Sequence, residues 1–340
     1  MIPQKELNEI REWLEKSQNP LFFFDNDTDG LASFLVLKRF IGRGRGIAIK
    51  SFPELSESYA KRIDELKPDV VFILDKPLVE KGFFERVREK NIPVIWIDHH
   101  LPEKTSGIYY YNPLLNEPKT NEPVSYWCYK VTKKDMWIAM TGILGDWFIP
   151  EFIDEFRKEY PDLLDSKKKA GEIIYETKFG KIIQILNFAL KDKTTNVVKM
   201  LRLMGEIRSP YEIFSEEKKY ESILKRFSEL NKKFEKFFEK ANETAKKSGK
   251  VIFFKYSGEM KLSAEIANKL IHFYPEKIVL VAYISGEKAS LSLRGKKVRN
   301  YLEKALEKIE GRGGGHEVAS AATIKAEDLE KFVELIKEQI

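Results

Sequence analysis

Three wholly apolar runs, Leu21-Phe22-Phe23-Phe24, Val70-Val71-Phe72-Ile73-Leu74 and Val94-Ile95-Trp96-Ile97, are each followed at once by a carboxylate: Asp25, Asp75 and Asp98. Between them lie segments of helical spacing at residues 31–41, 59–66 and 83–90, and a fourth short apolar run, Ile47-Ala48-Ile49. Strands that are apolar without alternation, separated by short helices, specify a parallel sheet covered on both faces. In such a sheet ligands gather beyond the carboxyl ends of the strands. The expected fold is α/β, and Asp25, Asp75 and Asp98 are expected to converge at one edge of its N-terminal parallel sheet.

The first of these ends opens into Asp25-Asn26-Asp27-Thr28-Asp29-Gly30. Three carboxylates at alternate positions cannot all stay ionised without a compensating charge, and hard divalent cations with oxygen ligands supply one. Taken alone, the hexapeptide reads equally as an acidic turn capping the next helix. Asp98-His99-His100 is more telling, because two of only four histidines stand side by side at a strand end. Neutral imidazole suits manganese, iron or zinc, and Asp98 can hold a ring in orientation. Asp75, before Lys76-Pro77, and Asp146, which closes the apolar segment 136–144 after Gly145, would singly be turn or cap residues. Their positions make them candidates for the same site.

At 340 residues the chain is too long for one typical core and suits two domains. The expected division is a catalytic domain over 1–150, a helical region without motifs over 151–215, a long amphipathic connecting helix over 216–249, and a second, smaller α/β unit over 250–340. The lysine-rich polar face of the connecting helix reads as solvated surface. A single cysteine, Cys128, excludes an internal disulfide and a cysteine-based zinc site, and a reducing cytoplasm is the expected location. No stretch approaches the ~20 apolar residues of a membrane span, and the start lacks the apolar core of a secretory signal. Abundant Lys and Glu with only four Gln give a composition like that of thermophile proteins. The net charge of +6 permits an anionic partner without requiring one. In the last unit Gly313-Gly314-Gly315-His316 offers backbone amides that can approach an anion closely, with His316 as a further donor. Read alone, the glycine run is equally a flexible loop. Arg294, at the end of Leu291-Ser292-Leu293, can add a planar fork to the same anion.

Taken together and in this order, the Asp25-x-Asp27-x-Asp29-Gly30 motif, Asp75, Asp98-His99-His100, Asp146 and the later Gly313-Gly314-Gly315-His316 resemble the DHH phosphoesterase superfamily with its DHHA1 domain. The resemblance covers roughly residues 20–150 and 250–325. It implies two divalent cations, manganese with magnesium as substitute. Asp25 and Asp27 would hold one, Asp29, His99 and Asp146 the other, with Asp75 bridging. It implies His100, with Asp98, as the catalytic pair acting on a phosphate oxygen or the leaving group. Arg294, Gly313, Gly314, Gly315 and His316 would hold the terminal phosphodiester from the second domain.

Small-substrate members of the superfamily carry a histidine four residues before the paired aspartates, where this chain has Phe23; Asp25 instead follows the RecJ-like pattern. The implied activity is a metal-dependent exonuclease on single-stranded DNA, and on RNA as well, with 3′-to-5′ polarity favoured, in replication or repair. Bacterial RecJ enzymes carry an additional OB-type domain for which this sequence has no segment of sufficient length. The resemblance is therefore to the minimal archaeal type, some of which associate with replication or repair helicases, and a partner of that class is expected. Two alternatives stand beside it: an oligoribonucleotide or dinucleotide phosphodiesterase, and an inactive replisome scaffold.

Overall fold

A computed structural model describes residues 1–51, 54–166, 169–215 and 217–340. The chain divides into two units, Met1–Arg226 and Phe227–Ile340. The first opens with α1 (Gln4–Lys16), which buries Leu7, Ile10 and Leu14 on one face, as their spacing predicts. Then come β1 (Pro20–Asp25), α2 (Thr28–Ile41), β2 (Arg45–Ile49), β3 (Glu54–Leu55), α3 (Lys61–Leu66), β4 (Val70–Leu74), β5 (Leu78–Val79), α4 (Lys81–Arg88), β6 (Val94–Ile97) and β7 (Tyr109–Tyr111).

Five of these strands form one sheet in the order β2-β1-β4-β6-β7, with every pairing parallel. β3 and β5 make a small parallel pair of their own. The aromatic run of β1 shows why its sequence lacks alternation. Phe22 and Phe24 pack on Phe34 of α2, with ring centroids 5.5 and 4.9 Å apart, while Phe23 meets Phe83 of α4 at 5.3 Å. Successive side chains on a strand point to opposite faces, and here helices cover both. β7, an edge strand of three residues, is too short to show a period and is absent from the sequence reading.

The first unit continues with α5 (Val124–Thr132), α6 (Met136–Gly145), α7 (Ile153–Glu159), α8 (Ala170–Glu176), α9 (Lys178–Leu190) and α10 (Thr194–Glu206). Every residue of α6 from Trp137 to Leu144 is buried, the mark of a helix enclosed on all sides. It packs against α2, α5 and α9, and α10 packs on α2. The long helix expected over 216–249 is α11 (Lys218–Lys247), which begins in the first unit and ends in the second.

The second unit comprises β8 (Val251–Ser257), α12 (Ser263–Phe273), β9 (Ile278–Ser285), β10 (Lys288–Arg294), α13 (Val298–Leu306), β11 (Gly311–Gly315), β12 (Ala319–Lys325) and α14 (Leu329–Lys337). Its sheet runs β11-β12-β10-β9-β8 and is mixed: β8 pairs parallel with β9, and the other pairings are antiparallel. The glycine run, which alone reads equally as a loop, is the edge strand β11. A Cβ on Gly313 would stand 2.7 Å from the Ala321 carbonyl oxygen, and one on Gly315 would stand 2.5 Å from that of Ala319. These glycines therefore serve close approach to β12. Among the described residues no helix is long and apolar enough to cross a membrane.

Candidate metal centre

The first unit brings Asp25, Asp27, Asp29, Asp75, Asp98, His99, His100 and Asp146 to the carboxyl edge of its sheet and the adjoining end of α6. Asp27 is the N-cap of α2, its carboxylate accepting from the Gly30 amide at 3.0 Å. Gly30 is required for this turn, since a Cβ there would lie 2.6 Å from the Asp25 carbonyl oxygen and 2.7 Å from its nitrogen. Asp29 is buried and caps a different helix. It accepts from the amides of Val124 (2.8 Å) and Ser125 (2.9 Å) and from the Ser125 hydroxyl at the start of α5. A Cβ on Gly145 would collide with Thr28 Oγ1, so its absence lets the end of α6 close on α2 and delivers Asp146.

Asp75, directly after β4, has φ 58°, a left-handed conformation uncommon outside glycine. That break ends the alternation of the strand, and both Asp75 and the next residue, Lys76, are buried. His99 Nε2 lies 3.4 Å from Asp75 Oδ1 and 3.7 Å from Asp146 Oδ2. One donor atom each of Asp29, Asp75 and His99 falls within 4.8 Å of the others, and the same holds for Asp75, Asp98 and His100. Asp25 and Asp27 fall outside both sets. Instead, Asp25 Oδ1 accepts from the Lys76 ammonium at 2.7 Å. Asp98, fully buried, serves His100: Oδ1 meets His100 Nδ1 at 2.8 Å, and Oδ2 accepts from the His100 amide at 3.1 Å. Asn112 closes this corner by donating to the His100 carbonyl at 2.9 Å.

The electrostatics express a surplus of negative charge. Burial, and then the charges of Asp25 and Asp29, push the Asp27 carboxyl up to about 7. Burial, with Asp29 and Asp27, raises Asp75 well above the usual carboxylate range. For His99, burial pulls downward, but Asp75, Asp146 and Asp29 outweigh it and the imidazole is raised well above its ordinary value. Asp75 Oδ1 is buried and accepts no hydrogen bond among the described residues. A buried carboxylate oxygen in that state fits a cation. The donors are carboxylate oxygens and an imidazole, with no thiolate, since Cys128 is buried and its thiol is pushed up by burial. Such a set of oxygen and imidazole donors could hold a divalent cation.

Sequence reasoning missed the neighbours that hold these residues. Lys76, Ser125 and Asn112 carry no pattern of their own; the only signal for Lys76 is that it follows Asp75 in Leu74-Asp75-Lys76-Pro77. The helical region without motifs also contributes here. Between α9 and α10, Lys191 donates to the Asn26 carbonyl at 3.2 Å, within the acidic motif itself. Its neighbour Asp192 is held by the Arg226 guanidinium at 2.7 and 2.9 Å.

The other expected site residues belong to the second unit. Arg294, the last residue of β10, donates to Asn268 Oδ1 at 2.5 Å and to the Leu293 carbonyl at 2.8 Å. His316 follows β11 and donates its amide to the Ala319 carbonyl at 2.8 Å. Gly313 and Gly315 answer to backbone packing, whereas nothing lies within 4 Å of a Cβ built on Gly314.

The first unit is thus a parallel α/β domain bearing a buried cluster of aspartates and histidine, and the second is a mixed-sheet domain. Residues 21–136 match the model of the DHH family, N-terminal domain, and residues 246–340 match that of the DHHA1 domain. Together they span well over half of the chain, which belongs to the DHH/DHHA1 superfamily. Among solved structures, RecJ in complex with Mn2+ from Thermus thermophilus shares 15% identity over 99% of this chain, with a TM-score of 0.71. The chain spans 55% of that protein's length. An exonuclease RecJ bound to manganese shares 16% identity, with 99% of this chain and 95% of that one covered and a TM-score of 0.68. An exopolyphosphatase-related protein from Bacteroides fragilis shares 14% identity over 100% of this chain and 97% of its own, with a TM-score of 0.54. At such identities the likeness is one of fold. No curated protein sequence matches the chain.

Proposed function

We propose that the protein is a metal-dependent phosphodiesterase that degrades single-stranded DNA, and RNA as a second substrate, from the 3′ end in replication or repair. The observation that carries this is the buried Asp29, Asp75 and His99 donor set at the carboxyl edge of a parallel sheet. Asp25 at the end of β1, with Phe23 where small-substrate relatives have histidine, favours the polynucleotide reading over a dinucleotide phosphodiesterase. Intact ligands count against an inactive scaffold.

Asp29, Asp75, His99 and Asp146 would hold one divalent ion, and Asp25 and Asp27, with Asp75 shared, a second. Manganese is the expected metal, with magnesium as substitute. Such ions, when bound, lower the pKa of a water and neutralise charge developing on the phosphate oxygens. The protein's own part is orientation. Asp98 holds His100 Nδ1, which fixes Nε2 as the ring atom able to exchange a proton with a phosphate oxygen or leaving group. Asp29 ties its end of the centre to the α5 terminus, and Lys191 holds the Asn26 carbonyl between Asp25 and Asp27. Arg294, His316 and the amides around Gly314 would bind the substrate anion. We also infer a replication or repair helicase as protein partner from the family resemblance; a pull-down that recovers none would count against it.

The test is a manganese-dependent time course on 5′-labelled single-stranded DNA, the matching RNA and a dinucleotide. A ladder of shortening labelled products on the long strands is expected. Immediate release of labelled mononucleotide would reverse the polarity, and turnover of the dinucleotide alone would move the protein to the small-substrate branch.

A further inference from the structure

Lys76 is fully buried, which lysine almost never is without a specific partner. Its backbone is pinned by Trp96, whose indole Nε1 donates to the Lys76 carbonyl at 3.0 Å. Its ammonium is pinned by Asp25 Oδ1 at 2.7 Å and by the Ser51 carbonyl at 2.8 Å. The left-handed turn at Asp75 sets this residue beside the carboxylates. The centre therefore has two unlike poles. At one, Asp29, Asp75 and His99 converge, with Asp75 Oδ1 buried and accepting no hydrogen bond among the described residues. At the other, Asp25 already faces a positive charge that the fold supplies.

We propose that Lys76 is a resident cation of the centre, which makes its two divalent ions bind in unequal steps: tightly at Asp29, Asp75 and His99, weakly at Asp25 and Asp27. The inference rests on the two-ion reading given above and extends it to the role of one residue of this chain. Lys76 is a positioning and charge-balancing group, not a catalytic residue. An ammonium in contact with a ligand carboxylate repels a second cation there. It balances the charge of Asp25 and keeps that half-buried carboxylate ordered while the weaker ion is away. The activity would then depend on metal concentration through the weaker step alone.

The experiment is a manganese titration of the full chain, with bound and free ion counted by the electron paramagnetic resonance signal of free Mn2+ and by calorimetry. The wild-type protein should bind two ions with affinities separated by about tenfold or more. Lys76→Met, close in length and without charge, should tighten the weaker step by about tenfold and leave the tighter one within a factor of about three. Two equally tight ions in the wild type would overturn the role of Lys76 while leaving the metal-dependent reading intact, and this arm needs no variant to fold. Weakening of both steps in a folded Lys76→Met would likewise overturn it, marking the lysine as a plain structural clamp. Absence of any manganese binding to the wild type would overturn both the inference and the proposed function.

Discussion

Gly30→Ala tests how the acidic motif is built. The added methyl would sit 2.6 Å from the Asp25 carbonyl oxygen and 2.7 Å from its nitrogen, distances that carbon does not tolerate. Both atoms are backbone, and Asp25 is fixed in β1 by its pairing with β2, so no flexible side chain can yield. The first turn of α2 must lift instead, which breaks the 3.0 Å cap from Asp27 to the residue 30 amide. Overpacking of this kind costs about 1–3 kcal/mol, and loss of the cap adds about 1 kcal/mol. The helical propensity of alanine over glycine returns about 1 kcal/mol. A net loss of about 2 kcal/mol corresponds to a fall in melting temperature of roughly 4–8 °C for a unit of this size. Scanning calorimetry of the two proteins, with manganese affinity measured alongside, reads both consequences: lower stability and about tenfold weaker binding. A melting temperature within about 1 °C of wild type, with unchanged manganese affinity, would refute the claim that Gly30 is needed for this close approach.

Gly314→Ala is the matched control, since nothing lies within 4 Å of its Cβ: the melting temperature should stay within about 1 °C while single-stranded DNA binding, followed by fluorescence anisotropy, weakens about tenfold. Asp29→Asn replaces an acceptor of two backbone amides with a group that presents one oxygen, so urea unfolding should show a loss of about 2–3 kcal/mol and calorimetry a lost manganese site. Asp98→Asn removes the charge that orients His100, and kcat should fall about 10²-fold or more with little change in KM under steady-state assay. Asp192 gives the pH test: the Arg226 guanidinium holds its carboxyl at about 2, below the ordinary 3.8, despite the opposing effect of burial. A depressed folded pKa adds stability above the unfolded pKa and loses it as pH falls through the folded one. The stability gap between wild type and Asp192→Asn should therefore be about 1 kcal/mol at pH 6, discounted for the part-exposed Arg226, and close between about pH 4 and 2 in denaturant titrations.

The parallel sheet is legible because burial on both faces leaves its mark in composition: Leu21-Phe22-Phe23-Phe24 has no polar position, and the structure places helices on both sides of it. The convergence of Asp25, Asp75 and Asp98 follows from topology, since each ends a strand of one sheet. What stays illegible is what depends on contacts between distant segments. Ser125 and Lys191 meet the acidic motif across 96 and 165 residues, and no local period encodes such a meeting. Lys76 is adjacent to a candidate ligand, yet nothing in Leu74-Asp75-Lys76-Pro77 encodes the meeting of its ammonium with Asp25 across 51 residues. The glycine run does not announce itself as a strand because glycine disfavours strands in general. Here its lack of a Cβ is what lets β11 lie close to β12.

Asp75 lies where both donor sets overlap, which makes its removal the most direct test of the centre. The measurement is cleavage of 5′-labelled single-stranded DNA in manganese by wild type and by Asp75→Ala, each first shown to be folded by circular dichroism. The expected result is a ladder of shortened strands from the wild type, abolished by chelator, and no cleavage above background from Asp75→Ala. Equal cleavage by the two proteins, or wild-type cleavage that persists without divalent metal, would contradict the assignment of this buried cluster as the hydrolytic centre.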